Sequence, residues 1–213
     1  MKLNALFVRV LTGASLVAGA SLLPATAALA QQAGQGYVTL TPAQPSDTAG
    51  KTEVLEFFAY SCPHCAILEP KLQAWAKTLP ADVALRPVPV AFNAGMGDLQ
   101  KLYYTLEAMD RLDLHPKVFE AIHQQRERLF DAKTITEWVA KQGVDKAKFE
   151  QTFNSFGVQT KANKANELAR NYQIDGTPSL AVGGKYVTSP ALANGYDESI
   201  TKAQELLKLA KKG

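Results

Sequence analysis

The order strand, Cys-x-x-Cys, helix constrains this sequence more than any other feature. Residues 54–60 are apolar, β-branched or aromatic apart from one glutamate, which is typical of a short strand buried on both faces. Cys62 follows shortly, and apolar residues then recur at helical spacing over residues 67–79, as far as Pro80. The chain has 2 cysteines, Cys62 and Cys65, and a link across so short a gap stabilises a fold little. The pair therefore indicates a reversible redox switch.

Residues 1–30 have the pattern of a cleaved signal peptide. Basic residues flank the start of an apolar stretch at residues 10–23, and small residues at positions 28 and 30 fit a signal-peptidase site. This stretch is shorter than the roughly 20 residues that a membrane-spanning helix needs. We therefore expect cleavage between Ala30 and Gln31, and a soluble mature protein in an oxidising compartment.

The charge of the mature chain gives no sign of a polyanionic partner. Residues 1–30 hold two of the 23 basic residues and none of the 20 acidic residues, which leaves a net charge near +1. Neither a nucleic acid nor an anionic membrane surface is expected to bind such a chain by charge alone.

The pattern beyond the signal peptide predicts an α/β fold with a helical insertion. Residues 31–51 form an arm with one strand-like run at 37–40, and Pro87 and Pro89 should confine a strand at 83–90 to a sheet edge or shorten its pairing. Helical patterns cover residues 98–113, 116–130, 134–142, 145–154, 158–172 and 197–211, and strands at 179–182 and 185–188 flank a Gly183-Gly184 hairpin turn. The predicted parts of the mature chain are residues 31–94, the insertion at 95–172, and residues 173–213.

A few polar residues and one glycine in the insertion are typical of helix starts and ends. Thr134 and Glu137 have the spacing of a capping box, Gly143 is suited to the end of that helix, and Asp145 is suited to capping the next. These signals predict short, separately capped helices.

The dithiol has features that favour a thiolate at Cys62. Cys62 falls at a helix N-terminus, where free backbone N–H groups and the helix dipole stabilise an anion, and Pro63 fits the first helical position. His64 stabilises the thiolate further if it is protonated or donates a hydrogen bond, while Cys65, one turn along, should face inward. A stable thiolate stabilises the reduced form, so the disulfide is expected to be oxidising.

A zinc site is the main alternative for these residues. Zinc sites generally pair one Cys-x-x-Cys with a second Cys or His pair, and His115 and His123 lack that spacing. We therefore predict no metal, and interpret both histidines as ordinary solvated helix residues.

Two further features lie outside the Cys-x-x-Cys motif. Thr177-Pro178 precedes a strand and is either a simple turn or a cis bond beside the dithiol, where the Thr177 backbone pairs with a substrate strand. Glu56 lies inside the buried strand, and it is either a proton relay for Cys65, or a residue at a strand edge or paired with Arg86. The residues alone leave both alternatives open.

These motifs together resemble the DsbA-type periplasmic thiol:disulfide oxidoreductases of the thioredoxin superfamily. The resemblance rests on residues 54–60, on Cys-Pro-His-Cys, on the helical middle and on Thr177-Pro178. It implies a thioredoxin-like fold, a central mixed sheet flanked by helices, with an inserted all-helical domain. It also implies nucleophile Cys62, resolving Cys65, modulating His64, cis-Pro178 and no cofactor other than the Cys62–Cys65 disulfide.

The resemblance also carries expectations about partners. It implies disulfide donation to unfolded or folding secreted proteins with free thiols, reoxidation by a quinone-linked membrane oxidase of the DsbB type, and a periplasmic location. The sequence leaves the oligomeric state open, and a monomer is the default expectation. The sequence departs from the family pattern at Pro87, where members often have a Lys that pairs with the buried acid.

Other functions also fit parts of the pattern. A periplasmic reductant or isomerase would use similar residues, although isomerases generally carry an N-terminal dimerisation domain that the arm is too short to form. A non-catalytic, chaperone-like module that binds peptides beside Pro178 is a further alternative.

Overall fold

The protein is described here by a computed structural model, which covers residues 35–211. In this part of the chain a sheet of 5 strands has the order β1-β5-β4-β2-β3. The strands are β1 Val38–Thr39, β2 Thr52–Phe58, β3 Val83–Pro89, β4 Ser179–Val182 and β5 Tyr186–Thr188. β2 runs parallel to β3 and antiparallel to β4, whereas β5 pairs antiparallel with both β4 and β1. The prediction of a mixed α/β sheet is confirmed.

Helices cover both faces of this sheet. The α-helices are α1 Pro63–Ala76, α2 Gly97–Ala108, α3 His115–His123, α4 Ala132–Lys141, α5 Lys146–Phe153, α6 Phe156–Asn171, α7 Pro190–Ala193 and α8 Tyr196–Ala210. Helices α2 to α6 follow one another between β3 and β4, where the sequence predicts the insertion. The division into domains at residues 31–94, 95–172 and 173–213 stays a prediction.

Alternation along the strands divides the core into two clusters. Side chains of successive strand residues point to opposite faces, and accordingly Leu55 and Phe57 pack with the helices of the insertion, whereas Val54 packs with α1 and α8. Residues 53–58 are all buried, since β2 lies between β3 and β4 and is covered on both faces. β3 forms the edge strand that its prolines predict.

Several element ends differ from the sequence prediction. α1 ends at Ala76, where the Thr78 hydroxyl donates a 2.7 Å hydrogen bond to the carbonyl of Trp75, so the helix stops before Pro80. The helix predicted at 116–130 ends at His123, because the chain turns through Arg126 with φ of 58°. The helix predicted at 98–113 ends at Ala108.

The capping residues of α4 also differ. The Asp131 carboxylate accepts a 2.9 Å hydrogen bond from the Thr134 backbone, and the Thr134 hydroxyl accepts from the Asp131 backbone, so Thr134 is the third helical residue and not the cap. The box predicted from Thr134 and Glu137 is therefore wrong. Gly143, with φ of 79°, follows α4, and the Asp145 carboxylate caps α5 by accepting from the Lys148 backbone at 2.7 Å, as predicted.

The signal peptide predicted at residues 1–30 lies outside the described residues. Over residues 35–211, no helix has both the length and the apolar character needed to cross a membrane.

Candidate active site

A tight turn joins β2 to α1 and places Cys62 at the start of the helix. The Cys62 backbone N–H donates to the carbonyl of Ala59 at 3.0 Å, and the Cys62 carbonyl accepts from the backbone N–H of Cys65 at 3.1 Å. Cys62 has an extended backbone, with φ of −88° and ψ of 115°, and Pro63 opens the helix without a side-chain cap. No side chain caps this end of α1, and the backbone N–H groups of His64 and Cys65 both stabilise an anion at Cys62.

The Cys62 thiol is half-buried and has a strongly lowered pKa. A hydrogen bond from the Cys65 side chain lowers that pKa most, burial opposes it, and hydrogen bonds from the Thr177 side chain and from the backbone of Cys65 and His64 contribute the rest, bringing the pKa to about 5. The Cys62 thiol also lies 3.3 Å from the Thr177 carbonyl, to which it donates when protonated. At neutral pH Cys62 is a thiolate.

Cys65 has the opposite environment. Its side chain is 0% exposed, and both cysteines are free thiols in this structure. Burial raises the pKa of Cys65 far above its ordinary value, and the hydrogen bond and the charge of Cys62 add to the effect. Within residues 35–211, no three His, Cys, Asp or Glu side chains come together as a potential metal site.

The segment before β4 forms the second wall of the site. The Thr177–Pro178 peptide bond is cis, and the Ser179 hydroxyl fixes the segment by donating a 2.8 Å hydrogen bond to the carbonyl of Gly176. A groove of about 380 Å³ opens beside it. The groove is lined by residues from this segment, from α1, from α7 and from the start of α8, among them His64, Thr177, Pro178, Pro190 and Tyr196.

His64 contributes to the site in two ways. Its backbone N–H is among the donors that lower the pKa of Cys62. Its imidazole instead contacts α8, where Nδ1 lies 2.6 Å from the Tyr196 hydroxyl. The sequence predicts the location of His64 but gives no sign of Tyr196.

Glu56 is buried in the centre of the sheet, at 1% exposure. The alternative of a strand-edge residue paired with Arg86 is wrong, because β2 is flanked on both sides and Arg86 binds Glu53 at 3.3 Å and Asp47 at 3.2 Å. Burial raises the pKa of Glu56 well above its ordinary value, and the charge of Glu69 raises it further.

A buried polar cluster beneath α1 was missed by the sequence prediction. We define it as Glu56, Tyr60, Glu69 and His115. His115 Nε2 lies 3.3 Å from Glu69 Oε1, and His115 Nδ1 lies 2.7 Å from the Tyr60 hydroxyl. The approach of His115 Nε2 to Glu69 Oε1 is close enough for an ion pair but is not a hydrogen bond. Among the described residues, the buried side-chain atoms without a hydrogen-bond partner are Glu56 Oε1, Glu69 Oε2 and His115 Nε2, all in this cluster.

The two histidines of α3 are therefore not solvated. His115 is 4% exposed, and its ring packs edge-on against Phe58. His123 is half-buried, and its Nε2 donates a 2.7 Å hydrogen bond to the Tyr60 carbonyl.

One sequence signal could have indicated that Glu69 is buried. Glu69 lies one turn after Cys65, on a helix face shared with Leu68 and Leu72.

Two cysteines whose proton affinities are shifted in opposite directions suit thiol–disulfide exchange. The nucleophile must be a thiolate in reach of substrate, and its partner must hold its proton in the reduced state. With this pair at the start of a helix that follows an interior strand of a mixed sheet, the molecule is a thiol:disulfide oxidoreductase.

Comparison with known proteins identifies the family. Residues 53–199 match the model of the DSBA-like thioredoxin domain. The thiol:disulfide interchange protein DsbA of Bordetella parapertussis is 56% identical over 207 residues, covering 97% of this chain and 98% of its own, and that of Pseudomonas aeruginosa PAO1 is 39% identical over 176 residues, covering 82% and 83%. The chain belongs to the DsbA family of thiol:disulfide interchange proteins.

Solved structures agree with this assignment. The crystal structure of Pseudomonas aeruginosa DsbA superposes with a TM-score of 0.80 at 37% identity, covering 83% of this chain and 93% of that one. The oxidoreductase NmDsbA1 from N. meningitidis gives 0.73 at 34% identity, covering 83% and 92%. The predicted family, fold and enzyme class are confirmed.

Proposed function

We propose that this protein donates its Cys62–Cys65 disulfide to the free thiols of unfolded or folding secreted proteins. The observation that carries the proposal is the opposite protonation of the two cysteines, with the pKa of Cys62 lowered to about 5 and that of Cys65 raised. A reduced form stabilised as a thiolate makes the corresponding disulfide oxidising.

The exchange proceeds in two displacements. A substrate thiolate attacks Cys62 Sγ of the oxidised protein, the Cys62–Cys65 bond breaks, and Cys65 leaves and takes up a proton. A second substrate thiolate then attacks the substrate sulfur of the mixed disulfide and releases Cys62 as a thiolate. Two electrons pass from substrate to protein, one substrate proton ends on Cys65, and the other goes to solvent.

The segment around Pro178 binds the substrate in this scheme. The Thr177 carbonyl, 3.3 Å from the Cys62 thiol, is placed for a backbone hydrogen bond with an extended peptide whose cysteine is joined to Cys62. The adjoining groove would receive the neighbouring substrate residues.

Glu56 is proposed to relay the proton that Cys65 needs. A carboxyl group whose pKa is raised by burial keeps its proton to a higher pH than an exposed carboxyl group does, and it can therefore exchange a proton with a neighbouring thiol. Glu69 lies one helical turn from Cys65 on the buried face of α1, and His115 lies beside Glu69, so the buried polar cluster supplies groups that can restore the proton.

The compartment and the remaining partners are proposed from the family and the N-terminal pattern. We place the mature protein in the periplasm as a monomer, reoxidised by a quinone-linked membrane oxidase of the DsbB type. The signal-peptide pattern of residues 1–30 and the similarity to the DsbA proteins support this assignment.

The test is the reduction potential of the dithiol, measured by equilibration with glutathione. A potential more oxidising than about −180 mV supports a disulfide donor, whereas one near −270 mV would identify a reductant. A Cys65→Ala variant should trap mixed disulfides with its substrates in cells, and a Cys62→Ala variant is the matched control that should trap none. Equal recovery from both variants would contradict the assignment of Cys62 as nucleophile.

A further inference from the structure

Two contacts join the start of α8 to the exposed side of α1. The Tyr196 hydroxyl lies 2.6 Å from His64 Nδ1, and the two rings are tilted by 32° to each other at a centroid distance of 6.2 Å. One residue further, the Asp197 carboxylate accepts hydrogen bonds of 2.8 and 3.0 Å from Lys71 Nζ. The ion pair holds the first turn of α8 where Tyr196 can reach His64.

The hydrogen bond to Tyr196 engages His64 Nδ1 and so restricts rotation of the His64 imidazole. The hydrogen bonds that lower the pKa of Cys62 come from the side chains of Cys65 and Thr177 and from backbone N–H groups, including that of His64. The His64 imidazole cannot rotate far from α8 without breaking its short bond to Tyr196. An imidazole released from that bond would be free to donate to the Cys62 thiolate and stabilise the reduced form.

We propose that Tyr196 is a positioning residue for the redox reaction, whose hydroxyl holds the His64 imidazole on the α8 side and so limits the oxidising strength of the dithiol. This inference rests on the proposed function, since it concerns the potential of the same cysteines. Among the charged groups near the ring, Lys71 and Asp197 pair with each other, and Asp175 lines the same groove as His64.

The test uses Tyr196→Phe, which keeps the ring and removes the hydroxyl. Thiolate absorbance against pH gives the pKa of Cys62, and equilibration with glutathione gives the redox equilibrium. We expect a Cys62 pKa below that of the unmodified protein and a shift of about tenfold towards the reduced protein, equivalent to roughly 30 mV for a two-electron couple. Tyr186→Phe is the matched control, since Tyr186 lies on β5 with its ring edge-on to Tyr37 and should change neither value.

A double-mutant cycle separates positioning of His64 from any other role of Tyr196. In a His64→Ala background, Tyr196→Phe should have no effect on either quantity, because the group through which it acts is gone. A shift that persists in that background would overturn the inference, as would an unchanged or raised Cys62 pKa in Tyr196→Phe alone. Asp197→Asn, which keeps the Tyr196 side chain but removes the ion pair with Lys71, should shift both values in the same direction by less.

Failure of this inference and failure of the proposed function are distinguishable. If the unmodified protein has a potential near −270 mV, the proposed donor function fails whatever the variants do. If the unmodified protein is strongly oxidising and Tyr196→Phe equals the Tyr186→Phe control, only the role of Tyr196 is overturned.

Discussion

Cys62 and Cys65 are the same residue type one turn apart on the same helix, yet their proton affinities move in opposite directions. Hydrogen bonds at the open end of α1 bring the pKa of Cys62 to about 5, whereas burial raises that of Cys65. The difference is one of position, because donors to a charged sulfur favour the thiolate and removal from water disfavours it. A single turn of helix is enough to change which effect dominates.

The same contrast extends to the regions around each cysteine. The exposed rim, made of Cys62, His64, Thr177 and Tyr196, supplies donors to an anion and is open to a substrate. In the buried polar cluster beneath Cys65, burial raises the pKa of Glu56, and the charge of Glu69 raises it further. The rim therefore stabilises negative charge at Cys62, whereas burial beneath Cys65 favours the protonated form of Glu56.

The largest expected effect is the difference in alkylation between the two cysteines. In the reduced protein at pH 7, iodoacetamide should modify Cys62 at least about 10³ times faster than Cys65, because only Cys62 is a thiolate in contact with solvent. The Cys62 rate should be constant above pH 7 and fall to half near pH 5, as the pKa of about 5 requires. Mass spectrometry of timed samples measures both rates.

The sign of the pH effect on stability follows from the lowered pKa of Cys62. The thiolate stabilises the folded reduced protein fully above the ordinary thiol pKa of about 8.5, and this stabilisation is lost as the pH falls through about 5. In the alkylation experiment, similar rates at the two cysteines, or a midpoint near pH 8.5 for Cys62, would contradict the opposite pKa shifts of Cys62 and Cys65.

The next effect in size is that of Glu56→Gln on stability. The folded protein keeps the proton of Glu56 while the unfolded chain loses it near pH 4.3, so stability falls as the pH rises from there towards the raised pKa of the folded state. Glutamine has nearly the same shape and no charge to bury. We expect the variant to gain about 1–3 kcal/mol at pH 7.

Urea denaturation at pH 4 and pH 7 tests this prediction. The gain should be small at pH 4, where most of the unfolded chain also carries the proton, and larger at pH 7. Glu53→Gln is the matched control, because Glu53 is equally buried on β2 but binds Arg86, and it should lose stability at pH 7. A pH-independent effect of Glu56→Gln would mean that Glu56 is not held protonated.

The Cys-Pro-His-Cys part of the site could be predicted from sequence because its chemistry is local. Cys62, Pro63, His64 and Cys65 are contiguous, and the helix N-terminus that activates Cys62 is set by the adjacent strand and turn. The edge position of β3 was equally predictable, since two prolines within seven residues remove the N–H groups that a central strand needs.

The buried polar cluster could not be predicted because its members meet only through tertiary packing. Tyr60 and His115 are 55 positions apart, and His115 becomes buried because α3 packs against α1. In the sequence, His115 is one polar residue at the start of an amphipathic helix, where solvent is the default expectation. Tyr196 was missed for the same reason, being 132 positions from His64.

The smallest expected effect concerns the ion pair at the exposed side of the rim. Lys71 and Asp197 have exposed side-chain fractions of 38% and 74%, so water and salt screen their attraction. We expect Lys71→Met to change the free energy of unfolding by no more than about 1 kcal/mol, an effect that should shrink in high salt. If Lys71→Met nevertheless shifts the redox equilibrium with glutathione, the contrast between the exposed rim and the buried interior is strengthened. The rim would then influence the reduction potential of the dithiol through a contact that contributes little to the stability of the fold. A loss of stability much greater than about 1 kcal/mol would instead make α8 docking part of the structural core, and the division between a functional rim and a stabilising interior would no longer hold.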